Sequence, residues 1–200
     1  MFKTLLRQAG TGIRALLVFT VLLGLGYPLA VWGVSRSPGL HEHAEGSPLV
    51  VRGQVVGSEL IGVDPVPADP ARDPYFHTRP SASAVGPLGP GDPATSGGSN
   101  LSADNPQLLA AVRERRAAIA AREGAAPRAV PVDAVTASAS GLDPGISPAY
   151  AELQAPRVAR VTGLPPSEVR LLIAQATSGG GLAERTVAVP ALNAAVAERR

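Results

Sequence analysis

ALLVFTVLLGLGYPLAVWGVS, residues 15–35, is a run of 21 residues without a charged side chain. As an α-helix that rises about 1.5 Å per residue, the run would be roughly 30 Å long, which matches the hydrocarbon core of a bilayer. The sequence therefore predicts one transmembrane helix. Lys3, Arg7 and Arg14 precede it with no acidic residue among them. The positive-inside rule then predicts a cytoplasmic N-terminus, residues 1–14, and an extracytoplasmic remainder.

A cleaved secretory signal is the alternative interpretation, because it too begins with basic residues and an apolar stretch. The apolar core of a signal peptide is usually about 7–15 residues long, and this run is longer. Trp32, Gly33 and Val34 do not form a small-x-small cleavage site. Tyr27 and Trp32 also suit an aromatic anchor at the outer interface, which favours a retained helix.

Charge and cysteine content exclude several classes of protein. The net charge is +2, of which +3 lies before the span, so the remainder has no basic patch for nucleic acid. The chain has no cysteine, which excludes disulfides and thiolate metal sites. The only histidines besides His77 are His41 and His43, beside a polar linker, so no metal-ligand set is expected.

The remaining composition indicates the fold class. Residues 36–47 form the linker, and residues 48–200 are long enough for one compact domain. With 22 glycines and 20 prolines, the chain favours loops over a long helical bundle. We predict an α+β fold: one N-terminal transmembrane helix followed by a single loop-rich extracytoplasmic α/β domain.

Strands and loops are predicted at the start of the domain. β-branched residues predict a strand over 49–56, followed by a turn at Gly57-Ser58 and a second short strand around Leu60 and Ile61. Residues 63–74 contain four prolines and no apolar period, which predicts an exposed loop.

A helix is predicted from Asn105-Pro106 to about Arg122, because asparagine caps free amides and proline is tolerated at the first helical position. Its solvated face is expected to carry Arg113, Glu114, Arg116 and Glu123.

Later elements follow from similar signals. Ser147-Pro148 predicts a second helix, which Pro156 is expected to break or kink. Pro165-Pro166-Ser167 predicts a third, with Val169, Leu172 and Ile173 inward, ended by the glycines at 179–181. A last strand is expected over 186–189 and a last helical turn or two over 192–196.

Residues 75–81 concentrate two aromatic rings, an imidazole and a guanidinium, in Tyr75, Phe76, His77 and Arg79. Such a cluster suits a partner surface. It also suits a buried aromatic plug in which backbone carbonyls satisfy His77 and an acid pairs with Arg79. The sequence leaves both interpretations open.

The segment Ser96-Gly97-Gly98-Ser99-Asn100 can adopt positive φ and present consecutive amides, as an anion-binding nest does. A tight turn leading into the helix is the alternative. It is not a phosphate loop, because no Gly-Lys-Ser or Gly-Lys-Thr follows.

Residues 130–144 are rich in small polar side chains, among them Asp133, Ser138, Ser140 and Asp143. Together with His77 they include the residue types of a serine hydrolase. No Gly-x-Ser-x-Gly elbow is present, and we assign no catalytic residue.

The order of four segments is distinctive. These segments are Gly57-Ser58-Glu59-Leu60-Ile61-Gly62, then Tyr75-Phe76-His77-Thr78-Arg79-Pro80-Ser81-Ala82, then Ser96-Gly97-Gly98-Ser99-Asn100-Leu101 with Asn105-Pro106, and then Val130 to Pro148. In this order they resemble the C subunit of the bacterial potassium-transporting Kdp ATPase, the KdpC family. The resemblance extends to Gln154, Arg157-Val158-Ala159, Gly163-Leu164 and Leu192-Asn193, so it covers the anchor and nearly the whole domain.

This resemblance implies a non-catalytic, single-pass subunit of a high-affinity potassium uptake complex in the bacterial cell (inner) membrane. The implied partners are a channel-like A subunit, a P-type B subunit that hydrolyses ATP and a small F subunit. The family is described as a catalytic chaperone that raises the ATP affinity of the B subunit, and Gln154 matches the glutamine to which nucleotide binding is attributed. No tightly bound cofactor is expected, since ATP would act through the B subunit.

The predicted topology favours another role within the same complex. A domain outside the membrane does not reach cytoplasmic ATP, so it would instead rest over the outer mouth of the A subunit and shape ion access. Asp133 and Asp143 could there raise the local cation concentration. The residues expected in the interface or motif loops are Tyr75, Phe76, His77, Arg79, Ser96, Gly97, Gly98, Ser99, Asn100, Asp133, Ser138, Ser140 and Asp143. The alternative function is a membrane-anchored extracytoplasmic binding or hydrolase domain.

Overall fold

The computed structural model describes residues 2–181 and 183–200, which form two compact units, one ending at Ser47 and the other comprising Pro48–Arg200. The first unit contains a helix of 34 residues, Phe2–Ser35, that is long and apolar enough to cross a membrane and has no buried residue. The helix starts well before residue 15, so the basic residues that precede the apolar run are also helical.

The long helix is interrupted by one wide turn. Helix α1 is Phe2–Val21, a π-helical turn follows at Leu22–Gly26, and α2 is Tyr27–Ser35. Pro28 is the second residue after the wide turn and has no amide hydrogen to donate to a carbonyl within it. A π turn is one way in which a helix accommodates such a residue. The unit ends with a single helical turn, α3, at His41–Ala44.

The second unit mixes helices and strands, as predicted. In chain order its elements are β1 (Pro48–Val51), β2 (Gln54–Ser58), α4 (Pro106–Glu123), α5 (Val132–Val135), β3 (Gly145–Ile146), α6 (Pro148–Thr162), α7 (Pro166–Gln175), β4 (Thr177–Gly180), β5 (Ala183–Ala188) and α8 (Val189–Arg199). β1 and β2 form a two-stranded sheet, and the second sheet has the order β3-β5-β4 with antiparallel pairs.

The single strand predicted over 49–56 is wrong, because the chain turns back at its middle. Arg52 and Gly53 have φ of 50° and 79°, and Val51 pairs with Gln54 across the turn. Positive φ at both central residues is typical of a tight hairpin turn that usually uses Asn-Gly. The short strand expected around Leu60 and Ile61 is also wrong, since these residues form a bend and irregular chain.

Capping predicted the helix starts correctly. The Asn105 side chain accepts the amide of Gln107 at 2.8 Å, and the Ser147 hydroxyl accepts the amide of Tyr150 at 3.0 Å. The break expected at Pro156 is wrong, because α6 continues through it. Pro156 is exposed, so the carbonyl that its ring leaves without a helical donor faces the solvent side.

The glycines at 179–181 do not end a helix, contrary to prediction. Helix α7 ends earlier, at Gln175, with Val169, Leu172 and Ile173 buried as predicted. Gly179 and Gly180 instead belong to β4, where they have positive φ. The final strand and helix exist but are longer than predicted.

The core of the second unit draws on nearly its whole length. Fully buried side chains include Phe76 from the 75–81 loop, Ile119 from α4, Tyr150 and Val158 from α6 and Leu192 from α8. This arrangement fixes the 75–81 loop against three helices. Phe76 is therefore the buried plug that one interpretation predicted, whereas Tyr75 remains 36% exposed.

Candidate functional site

His77 lies at the centre of a buried ion-pair network. Its Nδ1 is 3.1 Å from both carboxylate oxygens of Asp64, and its Nε2 is 2.6 Å from Oδ2 of Asp73. Ionised carboxylates only accept hydrogen bonds, so both ring nitrogens donate and the imidazole is positively charged. The expectation that backbone carbonyls satisfy His77 is wrong. The loop over 63–74 is also not simply exposed, because two of its three acids, Asp64 and Asp73, are buried.

Arg157 on α6 extends this network to α4. Its Nη1 is 3.2 Å from Oδ2 of Asp73, and its Nε donates to Oε2 of Glu123 at 2.9 Å. Glu123 also accepts from Nε of Arg122 at 2.7 Å, and its side chain is fully buried. Its predicted place on a solvated face is therefore wrong.

The network is balanced in charge. It contains three carboxylates, on Asp64, Asp73 and Glu123, and three cations, on His77, Arg122 and Arg157. Buried charges are tolerated when each is paired and hydrogen-bonded, and losing one partner leaves the other uncompensated.

Two side-chain amides clamp the backbone of the same loop. The Gln154 Oε1 accepts the amide of His77 at 2.8 Å, and its Nε2 donates to the His77 carbonyl at 3.2 Å. Asn193 on α8 makes the same pair of bonds with Phe76, both at 2.8 Å. Gln154 is fully buried, and its Oε1 also accepts from Arg157. Its amide is thus occupied by contacts within the domain.

The pKa shifts agree with a network that is charged at neutral pH. Burial opposes the charge on His77, but the hydrogen bonds that its ring donates to Asp64 and Asp73 outweigh this effect and raise the His77 pKa above 6.5. Burial alone would raise the pKa of Asp73, yet the hydrogen bond and charge of His77 lower it below 3.8 overall. Burial raises the pKa of Tyr150 to about 12, and its hydroxyl accepts from Arg122 at 3.0 Å.

A second cluster joins the motif loops to one another. Arg79 donates to the carbonyls of Thr136 and Ala137, and its Nη1 is 3.3 Å from Oδ2 of Asp143. The acid expected to pair with Arg79 is thereby confirmed. The amide of Ser138 donates to the carbonyl of Pro80 at 2.9 Å, which attaches the 130–144 segment to the end of the 75–81 loop.

The 96–100 segment lies against the same cluster. The Gly97 amide and the Ser96 hydroxyl both donate to the Ser140 carbonyl, at 2.8 and 3.1 Å. A Cβ at Gly98 would be 3.1 Å from the Ala139 carbonyl oxygen, so the approach is close. Neither glycine has positive φ, and the anion-binding nest is not formed because the Gly97 amide is already used. Ser99 and Asn100 are exposed, with φ of 53° at Asn100.

Asp133 and Asp143 both hold local structure. The Asp133 carboxylate accepts the amide and the hydroxyl of Ser147, at 2.7 and 2.8 Å, just where α6 begins. Asp143 accepts the amide of Gly145 at 2.9 Å in addition to its pair with Arg79. Each carboxylate is therefore already partly engaged within the domain.

The residue types of a serine hydrolase do not meet. Within residues 2–181 and 183–200, the ring nitrogens of His77 contact only Asp64 and Asp73. The Ser138 hydroxyl accepts the amides of Gly141 and Asp143, and it also bonds the Ser140 hydroxyl at 3.2 Å. Over the same residues, no cluster of three or more His, Asp or Glu side chains could hold a metal ion. Ser138 therefore bonds groups of its own loop, whereas His77 bonds the two acids of the 63–74 segment.

Sequence reasoning missed both charged partners of His77. Asp64 and Asp73 lie among prolines with no apolar period, which gave no sign of burial. Gln154 and Arg157 did carry a signal, because residues three apart share one face of a helix and both positions belonged to the resemblance.

Comparison with known proteins assigns this architecture to a family. A family described as "K+-transporting ATPase, c chain" matches residues 9–198. The chain belongs to the KdpC family. Proteins named "Potassium-transporting ATPase KdpC subunit" are 48% identical in Kineococcus radiotolerans, over 96% of this chain and 94% of the relative, and 48% identical in Variovorax paradoxus, over 92% and 94%. The protein of that name in Mycobacterium tuberculosis is 45% identical, over 95% of this chain and 97% of the relative.

The KdpC match includes every segment on which the resemblance rested. It begins within α1 and ends within α8, so both compact units are covered. The charge network and the motif-loop cluster therefore both lie inside the KdpC region of the chain.

Proposed function

We propose that this chain is the accessory C subunit of a potassium-transporting ATPase and has no catalytic residue of its own. The observation that carries the proposal is the 45–48% identity, over more than nine-tenths of the chain, to proteins named as that subunit. The partners are a channel-like A subunit, a P-type B subunit and a small F subunit. The hydrogen bonds that join the loops at 79–81, 96–98 and 138–143 into one surface support a role in assembly.

The membrane arrangement is part of the proposal. The helix Phe2–Ser35 anchors the chain in the bacterial inner membrane, with the N-terminus in the cytoplasm and residues 48–200 outside. The basic residues Lys3, Arg7 and Arg14 before the apolar run support this orientation.

The effect on ATP is proposed to pass through assembly with the B subunit. A direct contact by Gln154 would require opening of the core, because that side chain is fully buried and its amide is used by His77 and Arg157. We therefore assign Gln154 a structural role and leave the nucleotide to the B subunit.

At the outer mouth of the A subunit, the domain is proposed to shape ion access through its motif loops. Arg79, Ser138 and Ser140 hold these loops in one arrangement. Asp133 and Asp143 contribute negative charge there, although Arg79 offsets that of Asp143.

The first test is purification of the tagged full chain from potassium-starved cells in mild detergent. We expect a P-type ATPase and a polytopic channel-like protein to co-purify, with potassium-stimulated ATPase activity that is lost when this chain is omitted. Recovery of the chain alone, without ATPase activity, would contradict the proposal and favour a solitary extracytoplasmic binding domain.

Orientation can be tested cleanly because the chain has no cysteine. Ser167→Cys and Thr4→Cys place single thiols at exposed positions of the two units. A membrane-impermeant maleimide should label the first variant on spheroplasts and the second only after lysis. The reverse pattern would place the domain in the cytoplasm.

A further inference from the structure

Arg115 on α4 is a buried cation without an acidic partner. The residue is only 9% exposed. Its Nη1 donates to the Val135 carbonyl at 3.2 Å, whereas its buried Nε has no hydrogen-bond partner. Among the residues that the structure describes, no carboxylate lies within 4.0 Å of its guanidinium. The adjacent Glu114 is exposed and acts only at longer range.

The contrast with Arg157 shows what is missing. Arg157 is also buried, but it contacts both Asp73 and Glu123. A buried charge is unfavourable unless a nearby opposite charge offsets its loss of hydration. The isolated chain supplies that charge to Arg157 and does not supply it to Arg115.

Arg115 keeps one open edge. Its second terminal nitrogen, Nη2, donates to no group in the described chain and, unlike Nε, is not fully buried. A guanidinium presents its nitrogens in a planar fork that matches a carboxylate, and partial burial strengthens such a pair. The geometry therefore suits one carboxylate arriving from outside the domain.

The location adjoins the motif-loop cluster. Arg115 binds the carbonyl of Val135, and Arg79 binds the next two carbonyls, those of Thr136 and Ala137. Asp143 offsets the charge of Arg79, whereas nothing within 4.0 Å offsets that of Arg115 in the described chain. Arg115 consequently carries an unmatched positive charge beside the loops that the family resemblance singled out.

We propose that Arg115 receives an aspartate or glutamate carboxylate from a partner subunit that covers this face in the assembled complex. The inference rests on the proposed function, because it requires a partner. It adds a specific contact that the domain alone leaves incomplete.

The test compares stability with assembly in Arg115→Met. For the isolated full chain in detergent, we expect a melting temperature equal to or above that of the wild type, because methionine removes an unpaired buried charge. In the pull-down, we expect about tenfold less of the ATPase subunits, since a charge-assisted contact is lost. Arg115→Lys retains the charge but lacks the planar fork of the guanidinium. The amount of ATPase subunits that it retains should lie between the amounts for the wild type and Arg115→Met.

Two variants serve as controls. Arg113→Met, on the exposed side of the same helix, should change neither measurement. Arg157→Met should lower both together, because it removes the cation that Asp73 and Glu123 share and leaves the buried network one positive charge short.

Three results would count against the inference. If Arg115→Met lowers the melting temperature as Arg157→Met does, Arg115 is structural. If Arg115→Met retains the subunits as the wild type does, no partner carboxylate binds there. If phosphate stabilises the isolated wild type but not Arg115→Met while retention is unchanged, the site takes a free anion. Failure of the wild type to retain any ATPase subunit would overturn the proposed function and this inference with it.

Discussion

Among single residues, His77 links the proline-rich segment 63–74 to the helical core through two carboxylates. The stability it contributes is present in full below its unfolded pKa, near 6.5, and is lost as pH rises through its higher folded pKa. The contribution of Asp73 is present above its unfolded pKa of 3.8 and is lost as pH falls through its lower folded pKa. The free energy of unfolding should therefore be greatest between the two unfolded pKa values, from about pH 3.8 to about pH 6.5.

We expect the melting temperature of the wild type to fall as pH rises from 6 to 10. His77→Gln should cost about 3–5 kcal/mol at pH 6, because Asp64 and Asp73 lose their shared cation. Its profile above pH 6 should then be flat. Thermal unfolding followed by circular dichroism measures both, with His41→Gln in the first unit as the control. Parallel profiles for the wild type and His77→Gln would show that His77 is not the titrating group.

Gln154 and Asn193 provide a matched pair for the question of nucleotide binding. Both clamp the backbone of the 75–81 loop, but only Gln154 matches the glutamine associated with nucleotide. Gln154 could influence ATP use only by holding the 75–81 loop in place. In that case Gln154→Met and Asn193→Met should raise the KM for ATP of the assembled ATPase to a similar degree. A rise confined to Gln154→Met, at equal melting temperatures, would mean that Gln154 contacts the nucleotide.

Among the helices, α6 is destabilised by a proline in its interior, Pro156. The ring removes one helical hydrogen bond, and the position is exposed, so alanine fits without repacking. We expect Pro156→Ala to raise the free energy of unfolding by about 1–2 kcal/mol, less than the full cost of a helical proline because proline also restricts the unfolded chain. Chemical denaturation measures the change. Pro148→Ala, at the first helical position, should give no gain.

Elements with a local chemical signal could be predicted, and those that depend on distant contacts could not. Asn105 and Ser147 cap helices through bonds to the next few residues, so their roles are visible in sequence. The turn at Arg52-Gly53 lacks the usual asparagine, and the glycines at 179–181 suit a helix end as well as a strand turn. These glycines form a strand end and not a helix end because β4 pairs with β5, a contact that the local sequence does not reveal.

The candidate site shows the same division. The motif loops were identified from sequence, and the structure brings 79–81, 96–98 and 138–143 together. The buried acids were missed because ion pairing across the fold, and not hydropathy, places Asp64, Asp73 and Glu123 inside. An unpaired arginine such as Arg115 has no sequence signature at all.

For the whole molecule, the two compact units should be separable. The buried hydrophobic cluster lies entirely between residues 76 and 196, so it does not depend on the N-terminal helix. We expect deletion of residues 1–47 to leave a soluble domain that unfolds cooperatively and no longer enters the membrane fraction. Gel filtration and circular dichroism test this. An aggregated product or one without a thermal transition would show that the anchor is needed for folding.

The clamp between Phe76 and Asn193 joins residues 117 positions apart in the chain. At ribosomal rates of about 5–20 residues per second, roughly 6–23 s separate the synthesis of its two halves. The anchor helix is complete long before that interval begins, whereas the 75–81 loop is fixed only when α8 has been made. For several seconds the growing chain therefore carries a finished apolar helix and an open domain, in which the future core is still accessible to chaperones and proteases.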